Sequence, residues 1–225
     1  MFELSQLLAF DTPTICNALE LIDRNRRNYG YTIKSFHVIN TSNSPVVGFA
    51  KTATMRSFMP SQYSTEELKN ERVKYYRYIN EGNYQKICVM QDIDGEDSGR
   101  GPFWGEFNTR IHESLGVLGV ITNGTVRDVT NLPTSILMLS SGLRPSHANV
   151  HIVDYCNQVN VNGMVVSDGD VIHADSHGAV CFPSSIAQEV STCAKTFIES
   201  ERPIIEGCKK KTLSIDEIIK LYMSR

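Results

Sequence analysis

Two short stretches carry residue types that could act on a small anion. The first, GVITNGTVRDV from Gly119 to Val129, sets Arg127 beside Asp128. An arginine presents a planar fork that matches a carboxylate or the paired oxygens of a keto acid, and an aspartate is a hard oxygen ligand for Mg²⁺. Because Mg²⁺ commonly keeps several waters and takes one or two carboxylates, a single aspartate is enough to anchor it. The stretch has a second reading. Asn123-Gly124 between apolar residues is a strong signal for a two-residue hairpin turn joining strands 117–122 and 125–130, with Arg127 and Asp128 as solvated charges. In the following VTNLPTS, Pro133 leaves the second strand little room, and Asp128 or Thr130 could cap a short helix. Spacing alone leaves both readings open.

The second stretch, FWGEFN from Phe103 to Asn108, lies where the glycine-rich loop DGEDSGRGPFWGE (Asp94 to Glu106) meets a helix start. Unpaired N–H groups in a first helical turn attract a carboxylate or phosphate, although an ordinary capped helix start has the same composition. Together the two stretches describe a pocket for a small, doubly anionic substrate. Other chemistry finds less support. His147 and His151, like His173 and His177, would share a metal only on a helix, and both segments read as strand or turn. Asp170 and Asp175 read as turn residues, and the sequence holds no nucleophile elbow, H-E-x-x-H or P-loop.

The elements that must position these residues follow from periodicity. The opening reads as helical through Phe2, Leu4, Leu7 and Leu8, and restarts at Thr12-Pro13 to run past Ile22 until Asn28-Tyr29-Gly30. PVVGFAKTATMR, Pro45 to Arg56, reads as a strand, and Ser64 with Glu67 forms a capping box for a helix through Leu68, Val73, Tyr76 and Ile79. YQKICVMQDID, Tyr84 to Asp94, is a buried strand. A helix from about Gly105 carries Phe107, Ile111 and Leu115 on one face and stops at Gly116, before the strand VLGVIT. After the short run SILML, the second half alternates strands with turns at Asn162-Gly163, Asp168-Gly169 and His177-Gly178. Two helices finish the chain, one from about Ser184 to Glu201 and one capped by Ser214 with Glu217. This order makes a mixed α/β fold with a β-rich layer.

The 225 residues are 41% hydrophobic, enough for one compact domain or a domain with appended helices. A net charge of −3 with scattered Lys and Arg carries no nucleic-acid footprint. The first twenty residues lack a leader pattern and no run is long enough to cross a bilayer, so the expectation is a soluble, cytoplasmic protein without a membrane partner. Six scattered cysteines without a C-x-x-C pair read as free thiols.

The runs WGEFNTRIHESLGVLGVITNGTVRDV and VNGMVVSDGDVIHADSHGAVCFP, with DTPTICNALE at residue 11 and VVGFAKTATM at 46–55, resemble the RraA-like family. That family includes the class II 4-hydroxy-4-methyl-2-oxoglutarate aldolases. The likeness extends from residue 11 to about Pro183. It rests on G-x-x-R-D after a glycine-ended helix and a strand, and on the late G-D, A-D, G and P positions. It implies a swivelling α/β/β sandwich forming one domain over 1–225, with a core over about 11–183 and additional C-terminal helices over about 184–225. It further implies a homotrimer or homohexamer with active sites at subunit interfaces.

For the site, the resemblance implies Arg127 and Asp128 as catalytic residues. Asp128 with waters would hold a divalent metal, Mg²⁺ or Mn²⁺, and Arg127 would contact the keto acid. Backbone amides of Gly105, Glu106, Phe107 and Asn108 would bind the pyruvoyl carboxylate. The implied reaction is retro-aldol cleavage or oxaloacetate decarboxylation, in which the metal and Arg127 stabilise a developing enolate. With this resemblance, Asn123-Gly124 reads as a turn leading into a site. The sequence departs from the family pattern at Asn123, often an aspartate, at Phe107-Asn108, often bulkier aliphatics, and at Asp168-Gly169-Asp170, often P-G-D. Ser141 also stands where an arginine is common, with Arg144 nearby. The first two departures touch the pocket and bear on substrate identity. Some members of the family bind an RNA-degrading enzyme, so a regulator is the alternative, beside an enzyme of changed keto or hydroxy acid specificity.

Overall fold

The computed structural model describes residues 3–39 and 45–224, so Phe2 of the expected opening helix lies outside the described residues. The opening is helical in pieces. A 3₁₀ segment, Leu4–Ala9, precedes α1 (Thr12–Ile22), whose start is fixed by Asp11 accepting from the Thr14 N–H at 2.9 Å and by Pro13 in the first turn. A second 3₁₀ segment, Arg24–Asn28, leads to Gly30 at φ +87°, a left-handed conformation natural to glycine.

The strands are β1 (His37–Ile39), β2 (Val46–Arg56), β3 (Lys86–Asp92), β4 (Val117–Thr122), β5 (Thr125–Val126), β6 (Leu137–Ser140), β7 (Gly142–Leu143), β8 (His151–Tyr155), β9 (Val159–Val161), β10 (Met164–Val166), β11 (Val171–Asp175) and β12 (Gly178–Phe182). The remaining helices are α2 (Thr65–Asn80), α3 (Glu106–Ser114), α4 (Ala187–Lys210) and α5 (Ile215–Met223). Eight strands form the main sheet in the order β1-β6-β4-β3-β2-β11-β12, with β8 also pairing the far end of β2. At its centre β2, β3, β4 and β6 run parallel, each buried on both faces, which is why KICVMQD and VLGVIT read as near-continuous apolar runs.

Alternation along the strands sorts the core. Cys88 and Met90 of β3, with Val120 and Met138, face the helical side and pack against Tyr75, Tyr78 and Ile79 of α2 and against Phe103 and Trp104. Ile87 and Val89, with Ile121, Leu137 and Leu139, face the other way onto the β9–β10 hairpin. Helices α1 and α4 cover Val171, Val180 and Phe182 on the helical side. Helices, sheet and hairpin layer make an α/β/β sandwich with additional C-terminal helices. The turn between β9 and β10 takes φ +50° at Asn162 and +90° at Gly163, the conformation that the Asn-Gly pair favours.

Two expectations are corrected. α4 does not stop near Glu201 but continues past Pro203 to Lys210, where left-handed Lys211 and the seating of Leu213 against Gly207 end it. On α2, Val73 is exposed and the inward residues are Tyr75, Tyr78 and Ile79. The capping boxes at Ser64 with Glu67 and at Ser214 with Glu217 are both formed. All six cysteines are free, and burial pushes the Cys88 and Cys181 thiols up to about 12. No helix among the described residues is long and apolar enough to cross a membrane.

Candidate functional site

Because β3 and β4 are parallel neighbours, the loops leaving their carboxyl ends emerge side by side. Asn123 joins them: its Oδ1 accepts from the Asp92 N–H at 2.7 Å and its Nδ2 donates to the Asp92 carbonyl at 2.8 Å. The hairpin reading of Asn123-Gly124 is thereby overturned. Neither residue takes the positive φ that such a turn requires, and β5 pairs in parallel with β7 instead of folding back on β4. Gly124 lets the buried end of Met55 pack close, since a Cβ there would lie 2.7 Å from Met55 Cε and would displace it. The segment after β5 forms turns, with the Asn131 N–H on the Asp128 carbonyl, so no helix is capped at Asp128 or Thr130.

The loop after β3 is fastened by buried carboxylates. Asp92 accepts from Ser57 Oγ at 2.5 Å and from the Gly99 N–H at 2.7 Å. Asp94 accepts from the Ser57 and Phe58 amides and from Arg56. Burial works to raise the Asp94 carboxyl, but these donors outweigh it and hold the group below its ordinary value. The loop's far end is stitched to the β4 loop, with Val126 bridging Trp104 and the Arg127 N–H donating to the Trp104 carbonyl at 2.9 Å.

This stitching sets Arg127 and Asp128 against the start of α3. Asp128 adopts φ +56°, which aspartate tolerates better than most residues. Its Oδ2 accepts from the Glu106 N–H at 3.3 Å and lies 3.5 Å from Arg127 Nε. Gly105 admits this approach because a Cβ there would lie 2.7 Å from Asp128 Oδ2 and 3.0 Å from Arg127 Cγ. Gly105, Phe107, Asn108, Arg127 and Asp128 line one cleft of about 250 Å³. Glu106 is exposed and does not line it, bordering instead a neighbouring surface depression with Arg110.

The face of α3 differs from expectation. Thr109 and His112 are buried, whereas Phe107 is 75% exposed. The helix leans on aromatic neighbours: the His112 ring lies 4.6 Å from that of Trp104, and its Nε2 is 2.9 Å from the Tyr75 hydroxyl. His112 Nδ1 donates to the Asn108 carbonyl, so Nε2 is the acceptor, and burial depresses the imidazole to about 4. The Asn108 side chain is spent on structure, with Oδ1 accepting from the Tyr76 hydroxyl at 2.8 Å and Nδ2 donating to the Phe103 carbonyl at 2.6 Å.

Sequence reasoning missed two polar lining residues, Arg72 and His147. Arg72 had a visible signal, a charge on the helical stripe it shares with Tyr75, Tyr76 and Ile79. His147 had none, since only the fold brings its loop against Gly101, where a Cβ would lie 2.4 Å from the His147 carbonyl oxygen. Two further histidines hold scaffold segments together. His173 lies 2.9 Å from the Thr12 hydroxyl and His177 contacts Asp175, and no group of three metal-binding side chains occurs among the described residues.

A family model described as RraA-like, Aldolase/RraA, matches residues 12–181. The chain is 34% identical over 139 residues to Protein DlpA of Legionella pneumophila, covering 57% of this chain and 22% of that protein. It is 27% identical over 120 residues to uncharacterized protein MJ0644 of Methanocaldococcus jannaschii, covering 52% and 58%. The matched region is thus less than two thirds of either relative's length. Among solved structures, an uncharacterized protein of Pseudomonas syringae superposes with a TM-score of 0.76 at 18% identity, over 99% of this chain and 93% of that one. RraAS2 of Streptomyces coelicolor, described as an unusual member of the RNase ES inhibitor RraA protein family, gives 0.63 at 23%, over 88% and 93%. At these identities both show a shared fold.

Proposed function

This chain belongs to the RraA-like family, and on that footing we propose that it is a metal-dependent lyase acting on a 2-keto acid. The reaction is retro-aldol cleavage of a substrate of the 4-hydroxy-4-methyl-2-oxoglutarate type or decarboxylation of oxaloacetate. One observation carries the reading: Arg127 and Asp128 meet the first turn of α3 in a single small cleft, across a glycine that leaves no room for a side chain.

The donor set fits a hard divalent cation, Mg²⁺ or Mn²⁺. The Asp128 side chain is 40% exposed, and only its Oδ2 is engaged by the Glu106 amide and Arg127 among the described residues. A single carboxylate with waters completing the shell is an arrangement Mg²⁺ accepts. When bound, such an ion supplies Lewis acidity to the oxygen on which enolate charge develops. The chain's own groups do the rest. First-turn amides of α3, those of Phe107 and Asn108 among them, lack intrahelical acceptors and hold the pyruvoyl carboxylate at the positive end of the helix. Arg127 orients the keto acid with its planar fork and adds a fixed cation beside the developing charge.

The reading includes a homotrimer or homohexamer, to which the exposed Phe107 and half-buried Ile111 beside the cleft give support as a surface suited to another copy. The test is pyruvate release from oxaloacetate and from 4-hydroxy-4-methyl-2-oxoglutarate, with Mg²⁺ or with EDTA. The expected outcome is metal-dependent turnover that falls by about 100-fold or more in Asp128→Ala and Arg127→Ala. A folded wild type that binds Mg²⁺ without turnover would redirect the search to another keto or hydroxy acid. Absence of metal binding as well would favour a regulator of an RNA-degrading enzyme, the reading in line with the description of RraAS2.

A further inference from the structure

We propose that Arg72 sets substrate specificity in this cleft, its guanidinium holding the second carboxylate of a dicarboxylic keto acid whose reacting end lies against Arg127. The inference rests on the keto acid reading of the site and assigns the residue that reads the second carboxylate of such a substrate. Arg72 stands three residues before Tyr75 and seven before Ile79, so α2 turns it toward the core side. Its guanidinium stacks 4.4 Å from the centre of the buried Phe103 ring, and Nη1 donates to Asn108 Oδ1 at 3.2 Å. Asn108 is itself fixed by Tyr76 and by the Phe103 carbonyl, so the guanidinium is held at the wall of the cleft by a rigid neighbour.

A neutral amide does not balance its charge. No carboxylate of the described residues lies within ion-pair distance of Arg72, whereas Arg56 and Arg127, likewise half-buried, each have one. Two guanidinium groups, Arg72 and Arg127, thus line one cleft whose lining holds a single carboxylate, Asp128. Like charges gathered in a partly dry space are unfavourable until an anion neutralises them, and two forks suit a ligand with a carboxylate at each end. A cleft of about 250 Å³ has room for a short dicarboxylate.

The experiment compares pyruvate with 2-oxoglutarate by isothermal titration in the presence of Mg²⁺, a pair that differs in the second carboxylate. Wild type is expected to prefer 2-oxoglutarate by about tenfold or more. Arg72→Gln keeps a planar donor toward Asn108, and is expected to abolish that preference by weakening 2-oxoglutarate at least about tenfold more than pyruvate. Arg72→Lys, which keeps the charge without the fork, is expected to retain part of it and decides the matter should the glutamine variant fail to fold. A preference that survives both substitutions would overturn the proposal. So would equal weakening of both ligands, which would make Arg72 a positioning residue for α3. Wild type that turns over keto acids in the Asp128-dependent assay yet shows no preference would sink the specificity role alone, whereas binding of neither ligand with no turnover would remove the keto acid reading beneath it.

Discussion

At position 105 a single methyl group decides how close two chain segments come. Gly105→Ala places a Cβ at 2.7 Å from Asp128 Oδ2 and 3.0 Å from Arg127 Cγ, and the yielding atoms are side-chain atoms at a half-exposed surface. The expected result is a folded protein with turnover reduced about 100-fold, because displacement of reacting groups by about 1 Å costs that much. Steady-state kinetics beside a melting curve checks it. Asn123→Ala acts on stability instead: it removes both bonds to Asp92 and leaves that backbone without them, for a loss of about 1–3 kcal/mol in urea unfolding. The residues of this site differ in how legible they were. Arg127, Asp128 and the 103–108 run are contiguous and carry chemistry in their types, so sequence reasoning reached them. Arg72 lies on another element, and a charge on a helix is normally solvated, so only the stripe at 72, 75, 76 and 79 hinted at it.

Between elements, the seat of α3 on α2 depends on a neutral imidazole. His112 donates through Nδ1 to Asn108 and accepts at Nε2 beside the Tyr75 hydroxyl, and burial lowers it from its ordinary 6.5 to about 4. Between these two values the unfolded chain binds a proton that the folded one refuses, so stability falls as pH drops from about 6.5 to about 4 and is insensitive to this group above that window. The loss is on the order of 3 kcal/mol. His173, also depressed by burial, acts in the same direction. Urea unfolding of wild type and His112→Gln across pH 4 to 7 tests it, with a shallower decline expected in the variant. The capping boxes were legible because they are local chemistry. The inward face of α3 was not, because a short helix with apolar residues on one flank and His112 on the other is oriented by Trp104 and Tyr75, which lie outside it. The fate of β5 likewise depended on β7, a partner that no local turn signal announces.

Across the whole molecule, the cleft is built from α2, α3, the loops that follow β3 and β5, and the β7–β8 loop, while α4 and α5 contribute no lining residue to it. α4 packs on α1 through Ala187, Val190 and Ala194, whereas α5 has no buried residue and leaves Ile215, Ile219, Tyr222 and Met223 exposed. Removing residues 212–225 is therefore expected to leave ligand affinity unchanged and to lower Tm by no more than about 4 °C. Calorimetry and titration of the shortened chain measure both. A mixed α/β fold with a β-rich layer was legible from the order of elements, whereas the α/β/β layering came only with the resemblance to the family, because strands buried on both faces read as continuous apolar runs that do not announce what covers each side.

The left-handed backbone of Asp128 has a consequence for the history of such a site. An L-residue held at φ +56° is strained relative to glycine, and the bond it gives the Glu106 amide is long and half exposed. Replacing it with glycine trades a weak cap for a relaxed turn, so Asp128→Gly should melt within a few degrees of wild type while losing the carboxylate to which the proposed function gives a metal. Selection for folding alone would then scarcely register the loss. A lineage that no longer needed the reaction could discard this carboxylate and keep the scaffold intact for other uses.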